Sequence, residues 1–209
     1  MIDKYIIIGC GGHSKVLIDT IIQNKFKIEY VVDIEYRNKK DNYIKQHFEL
    51  FKIPVIHIDN LRINNDQNIM IGIGEINQRF NFFKTYIENI TKNYNLLSKY
   101  SVISKFVNLG NANFVNAGAI INSSTTIGSN CIINTNSSID HDCVIGNNVH
   151  IAPGVSIAGA VTVGDNTFIG IGSSVKDKIT IGKNVIIGSG SNVIHDIPDG
   201  KTVFGNPAK

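Results

Sequence analysis

The sequence predicts an α/β N-terminal domain of the half-Rossmann (β-α-β) type, followed by an all-β parallel β-helix of hexapeptide repeats. A branched aliphatic residue recurs at every sixth position from Ile103 to Val193, sixteen times without interruption, and this period is typical of a parallel β-helix. Upstream, a short apolar run leads into a glycine-rich turn and a helix, which begins a β-α-β unit. We therefore expect two domains, at residues 1–97 and 98–209.

The first domain opens with the β-α-β unit. Residues 4–8 form an apolar strand, residues 9–15 form the turn GCGGHSK, and the helix is expected to continue to about Asn24. A second apolar strand, at residues 28–32, ends at Asp33. The other predicted elements are strands at residues 54–58 and 69–73 (the latter ending at Gly74), a helix at residues 76–89, and an irregular polar loop at residues 37–52.

The turn after the first strand is a candidate phosphate-binding loop. Gly11 and Gly12 let a ligand approach the backbone, His13 follows them, and the N-terminus of the next helix favours an anion. Asp33, about 20 residues further on, is placed to hold a ribose hydroxyl. The dinucleotide pattern GxGxxG is only partly met, because Ser14 replaces the third glycine, and the domain is short for two Rossmann halves. The sequence therefore favours a mononucleotide, with a plain strand-to-helix turn as the alternative.

A second period, of eighteen residues, runs through the β-helix. Eighteen residues are three hexapeptides, so each coil is a triangle with three short sides. Sixteen hexapeptides give about five coils, or roughly 25 Å of stacked strands. Glycine and asparagine recur at this spacing, and both accept the positive φ that a tight corner needs. The recurring residues are Gly110, Gly128, Gly146, Gly164 and Gly182, together with Asn130, Asn148, Asn166 and Asn184.

Composition argues against several classes of protein. The net charge is +3 and the basic residues are scattered, so no nucleic-acid partner is predicted. No apolar run is long enough to cross a membrane, and Gly9 ends the first apolar run, so neither a membrane span nor a signal peptide is expected. Three cysteines without a spacing motif fit a reduced cytoplasm. Cys131 and Cys143 fall in inward slots of the repeat, where packing is the expected role.

Two histidines fall outside the inward slots. His141 lies at a corner, two positions after a core aliphatic residue, and His150 precedes one, so both are expected to face out of the β-helix. They are half a coil apart, and a site that used both would need a second subunit, as in a trimer with clefts between subunits. Asp140 and Asp142 flank His141, and a neighbouring carboxylate fixes the tautomer of an imidazole and raises its basicity. A solvated surface histidine is the alternative, more so for His150.

The segment SIDHDCVIG at residues 138–146, followed by VHIAPG at residues 149–154, resembles a known family. It is similar to the sialic-acid and nucleotide-amino-sugar acetyltransferases of bacterial surface-glycan synthesis. The resemblance covers nearly the whole chain, from the loop at residues 9–15 to the terminal GNPAK. It implies a left-handed β-helix, a homotrimer, acetyl-CoA as co-substrate and no metal.

The resemblance also implies roles for individual residues. His141 would be the general base and Asp142 the acid that tunes it, although many members of the family have glutamate at that position. A backbone N–H near Gly159 is a candidate donor to the oxyanion. The residues that would contact acetyl-CoA are His150, Gly159, Ile171 and Ser189. The residues that would bind the nucleotide-linked sugar are Gly11, Gly12, His13, Asp33 and Gly74.

The predicted activity is acetyl-CoA-dependent N-acetylation of a nucleotide-linked 4-amino-4,6-dideoxy sugar, for a surface glycan such as lipopolysaccharide O-antigen, a capsule or a glycoprotein. O-acetylation of sialic acid or a related sugar is the alternative, because the same base would serve both reactions. A zinc β-helix enzyme would need three histidine ligands, yet His195 lies three coils from His141, about 14 Å away. A non-enzymatic repeat scaffold leaves the acids beside His141 unexplained.

Overall fold

The computed structural model describes residues 3–33, 52–64, 67–89 and 94–209. The chain divides into two compact units, Met1–Lys92 and Asn93–Lys209. Apart from Lys52, the loop predicted at residues 37–52 lies outside the described residues. Within the described part of the chain, no helix is both long and apolar enough to cross a bilayer.

The first unit is a parallel sheet with two helices. Its elements are β1 (Lys4–Ile8), α1 (Gly12–Gln23), β2 (Lys27–Asp33), β3 (Val55–His57), a 3₁₀ turn (Ile58–Asn60), β4 (Asn68–Ile71) and α2 (Ile76–Tyr86). The strand order is β3-β2-β1-β4, and all the pairings are parallel. Strand β1 is buried at Ile6, Ile7 and Ile8, as expected for a strand covered on both faces. Because β1 lies between β2 and β4, the strand order reverses beside it, and ligand crevices form at such points.

These elements match the prediction, with shorter ends. Strand β4 stops at Ile71, two residues before the predicted end. Helix α2 ends at Tyr86 rather than at residue 89. It begins after Glu75, whose carboxylate accepts hydrogen bonds from the N–H groups of Asn77 and Gln78, at 3.0 and 2.7 Å. This is the usual cap for the unpaired donors of a first helical turn.

The second unit is a left-handed parallel β-helix of about six turns. Its two-residue strands stack into three parallel sheets, one on each side of a triangle. The seven-stranded sheet contains β5 (Leu96–Leu97), β8 (Phe114–Val115), β11 (Ile132–Ile133), β14 (His150–Ile151), β17 (Phe168–Ile169), β20 (Ile186–Ile187) and β22 (Thr202–Val203). The six-stranded sheet contains β6 (Val102–Ile103), β9 (Ile120–Ile121), β12 (Ser138–Ile139), β15 (Ser156–Ile157), β18 (Ser174–Val175) and β21 (Asn192–Val193). The five-stranded sheet contains β7 (Asn108–Leu109), β10 (Thr126–Ile127), β13 (Val144–Ile145), β16 (Thr162–Val163) and β19 (Thr180–Ile181).

The interior of the β-helix is the aliphatic column that the repeat predicts. Strands β6 to β21 carry the sixteen repeats, and β5 and β22 add one strand at each end, which makes the helix longer than the five predicted coils. The second inward slot, two positions before each core aliphatic residue, holds small or branched residues, and several of the polar ones bond the coil above. Thr125 Oγ1, for example, donates to the carbonyl of Asp140 at 2.8 Å, and Thr167 Oγ1 donates to that of Gly182 at 2.8 Å.

The corners use asparagine and glycine for two different reasons. Asn130 and Asn148 have φ of 59° and 55°, as predicted, and the Asn130 amide donates to that of Asn148 at 2.8 Å. The prediction is wrong for the glycines that recur at the same spacing, because they are not in the left-handed region. They are needed for close stacking instead. A Cβ on Gly128 would lie 2.8 Å from the backbone of Gly146, and one on Gly164 would lie 2.6 Å from that of Gly182.

Candidate active site

A cavity of about 360 Å³ opens at the carboxyl ends of β1 and β4, where the strand order reverses. This is the expected ligand crevice of such a sheet. The residues predicted to bind the nucleotide-linked sugar all line it: Gly11, Gly12, His13, Asp33 and Gly74. Gln78 of α2 also lines the cavity. The sequence contained no signal for Gln78, because nothing local distinguishes it from the other polar residues of the helix.

Three glycines leave open space at the wall of this cavity. Gly11, Gly12 and Gly74 are outside the left-handed region, and a Cβ added to any of them would meet no heavy atom within 4 Å. Gly9 differs, because its φ is 107° and a Cβ there would lie 2.9 Å from Ile73. Neither backbone conformation nor packing therefore requires glycine at positions 11, 12 and 74. The space left open is that of the cavity, which favours a ligand over a plain strand-to-helix turn.

Ser14 fastens the glycine-rich loop to the neighbouring strand. Its hydroxyl donates to the carbonyl of Gly9 at 2.6 Å and to that of Gly72 at 3.0 Å. A Cβ on Gly72 would overlap Ser14 Oγ. The serine that breaks the GxGxxG pattern therefore has a structural use, since it joins the loop after β1 to the end of β4.

Buried polar groups set the electrostatics of the cavity. Arg79 of α2 is almost completely buried, and its Nη1 donates to the carbonyl of Gly74 at 3.4 Å. Burial, followed by the charge of Arg79, lowers the pKa of His13 to about 4, so its imidazole is neutral at neutral pH. Burial, followed by the charge and hydrogen bond of Asp33, raises the pKa of the Cys10 thiol well above its ordinary range. Cys10 is therefore not a nucleophile at neutral pH.

In the β-helix, His141 lies at the corner between the six- and five-stranded sheets, two residues after the end of β12. We call this corner the His141 edge; the equivalent positions of the following coils are Gly159, Asp177 and His195. The imidazole Nδ1 lies 2.7 Å from Asp142 Oδ2. Asp140 Oδ1 accepts the backbone N–H of His141 at 2.8 Å and the amide of Asn122 at 2.9 Å. The hydrogen bond to Asp142, and then the charge of Asp140, raise the pKa of His141 above its ordinary value.

The imidazole of His141 lies against the backbone of Gly159 in the next coil. A Cβ on Gly159 would be 2.7 Å from Cε1 and 2.9 Å from Nε2 of the ring. Any side chain at position 159 would therefore displace the imidazole. The eighteen-residue spacing brings these two predicted residues together and explains why a glycine stands here.

The N–H of Gly159 has no hydrogen-bond acceptor among the described residues. At equivalent corner positions, the preceding side chain accepts this bond: Asn116 accepts from Ala117 at 2.7 Å, and Asp140 accepts from His141 at 2.8 Å. Gly159 follows Ala158, which has no acceptor on its side chain. The N–H is thus unpaired within the described residues, and Gly159 itself is buried with the imidazole against it.

Ile171 and Ser189 lie on a different edge, between the seven- and six-stranded sheets. They are equivalent positions of successive coils, and each follows a glycine, Gly170 and Gly188 respectively. The N–H groups of Ile171 and Ser189 have no acceptor within the described part of the chain. We call this corner the Ser189 edge. It offers a glycine-lined strip with unpaired backbone donors, separate from the His141 edge.

His150 lies on the outer face of the seven-stranded sheet, as its slot predicts, but it is not solvated. Its side chain is buried, and its ring packs edge-on against Phe168, with the ring centroids 5.2 Å apart. Its Nε2 is 3.4 Å from the Asn134 amide nitrogen. The alternative of a solvated surface residue is therefore wrong for His150. Within the described residues, no three His, Cys, Asp or Glu side chains are grouped to hold a metal ion.

Two family models match the chain. The PglD N-terminal domain matches residues 4–86, which include the cavity. The bacterial transferase hexapeptide model, of six repeats, matches residues 124–159 and 160–195, which include both His141 and Gly159. A search of curated protein sequences gave no match.

Solved structures match over the whole chain. The acetyltransferase domain of PglB from Neisseria gonorrhoeae, solved with acetyl coenzyme A, is 28% identical; the match covers 100% of this chain and 99% of that chain, with a TM-score of 0.84. The perosamine N-acetyltransferase of Caulobacter crescentus, solved as a point mutant with CoA and GDP-perosamine, is 29% identical over 100% and 97%, with a TM-score of 0.84. The protein is a hexapeptide-repeat acyltransferase. WeeI from Acinetobacter baumannii, 24% identical over 98% of both chains with a TM-score of 0.84, shares the fold of this acyltransferase.

Proposed function

We propose that the acyltransferase transfers the acetyl group of acetyl-CoA to the amine of a nucleotide-linked 4-amino-4,6-dideoxy sugar used in a bacterial surface glycan. The observation that carries this proposal is the pairing of an oriented base with an unpaired donor. His141, held by Asp142, lies against Gly159, whose N–H has no acceptor among the described residues. The acceptor class is supported by the similar Caulobacter crescentus enzyme, whose structure contains GDP-perosamine.

His141 is the general base. Asp142 accepts a hydrogen bond from Nδ1–H, so the lone pair of the neutral imidazole is on Nε2. Nε2 removes a proton from the acceptor amine as the amine nitrogen bonds to the thioester carbonyl carbon. Collapse of the tetrahedral intermediate breaks the C–S bond, and the proton passes from Nε2 to the departing thiolate. A base of this kind contributes about 10²–10⁴-fold to the rate.

Gly159 provides the donor for the oxyanion. Its N–H is unpaired and lies beside the imidazole, so one thioester could contact both groups. Negative charge develops on the thioester oxygen only as the amine attacks, and a fixed donor at that point lowers the barrier. Removal of one such donor costs about 10²–10³-fold in other enzymes. No covalent intermediate on the protein is needed.

The cavity of the first unit binds the nucleotide. The open faces of Gly11 and Gly12 allow a diphosphate to approach the backbone, and α1 starts beside it without a side-chain cap. The buried guanidinium of Arg79 adds positive potential behind the loop. Asp33, at the end of β2, is placed to accept hydrogen bonds from a ribose.

A homotrimer completes the acetyl-CoA site. His141 and Gly159 lie on one edge of the β-helix, whereas Ile171 and Ser189 lie on another. In a single chain, the residues predicted to contact acetyl-CoA therefore lie on two separate edges. Three-fold assembly would place the His141 edge of one subunit beside the Ser189 edge of its neighbour. The arm of CoA would then follow the glycine-lined Ser189 edge, with its thioester at His141.

The proposed activity is tested with purified protein, acetyl-CoA and a panel of acceptors. GDP-, UDP- and dTDP-linked 4-amino-4,6-dideoxy sugars are compared with sialic acid, and both CoA release and acetylated product are measured by mass spectrometry. We expect acetylation of at least one nucleotide-linked amino sugar, and loss of that product with His141→Ala. Acetylation of sialic acid alone would replace the proposal with O-acetylation. Transfer to neither class would contradict it.

A further inference from the structure

The peptide unit between Ala158 and Gly159 is held from inside the β-helix. Its N–H, on the Gly159 side, is the donor assigned to the oxyanion, and this inference therefore rests on the proposed function. Its carbonyl, on the Ala158 side, accepts a hydrogen bond from the thiol of Cys143 at 3.3 Å. Cys143 is completely buried one coil below. In a trans peptide the C=O and N–H point in opposite directions, so the thiol that fixes the inward carbonyl also fixes the outward N–H.

Donors are confined to two positions in this column of the repeat. In each coil, one inward residue immediately precedes the strand of the five-stranded sheet. These residues are Val107, Thr125, Cys143, Val161 and Ile179. Only Thr125 and Cys143 carry a proton to donate. Thr125 bonds the carbonyl of Asp140, directly before His141, and Cys143 bonds the carbonyl of Ala158, directly before Gly159. Both donors thus brace the backbone at the two residues on which the proposed chemistry depends.

We propose that Cys143 is a positioning residue for the acetyl transfer, which holds the Ala158–Gly159 peptide so that its N–H faces the developing oxyanion. A hydrogen bond at the carbonyl also polarises the amide and strengthens its N–H as a donor. Burial raises the pKa of the Cys143 thiol, so it keeps its proton and remains a donor in the working pH range. The residue does not touch substrate, and it acts only through the peptide.

Cys131 provides a matched control within the same chain. It occupies the same inward slot on another edge, is equally buried, and its Sγ donates to the carbonyl of Gly146 at 3.1 Å. The peptide that follows that carbonyl is Gly146–Asn147, whose N–H is already bonded to Asp165 at 2.7 Å. A thiol in this slot therefore stabilises the coil in both cases, but only Cys143 is linked to an unpaired N–H.

The test compares Cys143→Val, Cys143→Thr and Cys131→Val. Valine and threonine have nearly the same shape, and both occur in this column, at Val161 and Thr125, so both should fold. We expect Cys143→Val to lower kcat about tenfold with little change in the KM for acetyl-CoA, a loss smaller than that of deleting an oxyanion donor. Cys143→Thr should restore most of the loss. Cys131→Val should keep kcat within about twofold, although it loses a hydrogen bond of similar strength.

A second measurement does not depend on activity. In protein labelled with ¹⁵N glycine, Cys143→Val should shift the amide resonance of Gly159, whereas Cys131→Val should leave it unchanged. Wild-type kcat in Cys143→Val, or an equal loss in both valine variants, would overturn the inference. The failure of wild-type protein to acetylate any nucleotide-linked amino sugar would instead count against the proposed function. If Cys143→Val does not fold, Cys143→Ala replaces it, because Ala119 fills an equivalent slot.

Discussion

The chemistry of His141 is set by its two neighbours in the chain. Asp142 bonds Nδ1, while Asp140 bonds the backbone N–H and is itself fixed by Asn122. Asp142 has a φ of 60°, and aspartate is among the few residues that accept this left-handed conformation readily. The corner geometry of the repeat thus turns a carboxylate back onto the imidazole that precedes it. In the proposed reaction, an exposed histidine thus acts as an oriented base without being buried.

Replacement of His141 by alanine should leave the fold intact and remove the base. Its side chain is mostly exposed and supports no core contact, so the melting temperature should change little. We expect kcat to fall about 10²-fold or more, with acetyl-CoA binding retained. Steady-state kinetics and calorimetric titration with acetyl-CoA measure the two effects. Near-wild-type turnover from pH 6 to 9 would mean that the amine arrives already deprotonated and needs no base.

Asp142→Asn should move the acidic limb of the kcat–pH profile to lower pH. The base works only when neutral, so activity falls as the pH drops through the pKa of His141, which Asp142 raises. Loss of the carboxylate removes the largest cause of that rise. The limb should therefore shift to lower pH while the plateau falls, because asparagine no longer selects the active tautomer. The ionisation of the acceptor amine is common to both proteins, so the difference between the two profiles reports His141 alone.

The sequence predicted much of this arrangement, and its limits are physical. The six-residue period gives each side chain a direction, which correctly placed His141 at an exposed corner. The eighteen-residue period puts Gly159 directly above it. The period does not reveal that the imidazole lies against that glycine, because the position of the ring depends on side-chain torsions. The same period predicts only a packing role for Cys143, because a hydrophobic pattern contains no information about hydrogen bonds between coils.

At the scale of the element, the loop between β1 and α1 combines constraints from distant parts of the chain. Ser14 bonds the carbonyl of Gly72, fifty-eight residues away. In the local sequence, Ser14 is only a departure from a glycine motif. In the folded unit, its hydroxyl joins the loops that follow β1 and β4. The pairing of β1 with β4 brings the two loops together, because Ile8 lies opposite Ile71 at the ends of these strands. A pattern confined to one segment could not predict it.

Gly12→Val should weaken binding of the acceptor and leave acetyl-CoA unaffected. A Cβ there meets no heavy atom within 4 Å and Gly12 lines the cavity, so we expect the added side chain to enter the cavity rather than strain the fold. We expect the KM of the nucleotide-linked sugar to rise about tenfold or more, as for lost hydrogen bonds to a charged group, and the KM of acetyl-CoA to stay unchanged. Asp33→Ala should act in the same direction. Asp19→Ala, which removes an exposed carboxylate of α1 outside the cavity lining, serves as the control. Equal effects on both substrates would make the loop purely structural.

At the scale of the whole molecule, the proposed acetyl-CoA contacts lie on two different edges, and this division predicts an obligatory assembly. A triangular cross-section gives each chain one His141 edge and one Ser189 edge, which suits closed three-fold symmetry with three equal clefts. Light scattering coupled to size exclusion should therefore give three times the chain mass at micromolar concentration. A monomer of full activity would contradict the shared cleft.

Mixed trimers test whether the cleft is shared. His141→Ala disables one edge, and Ser189→Trp should block the other by filling the strip beside Gly188 where CoA is expected to lie. Each variant alone should be inactive. If the two are unfolded and refolded together in equal amounts, mixed trimers contain one cleft built from two intact edges, and about a quarter of wild-type activity should return. A site contained in one chain would give no recovery, because every chain carries one of the two substitutions. Activity that returns only on co-refolding, and not on mixing the assembled variants, would establish that each active site requires two subunits.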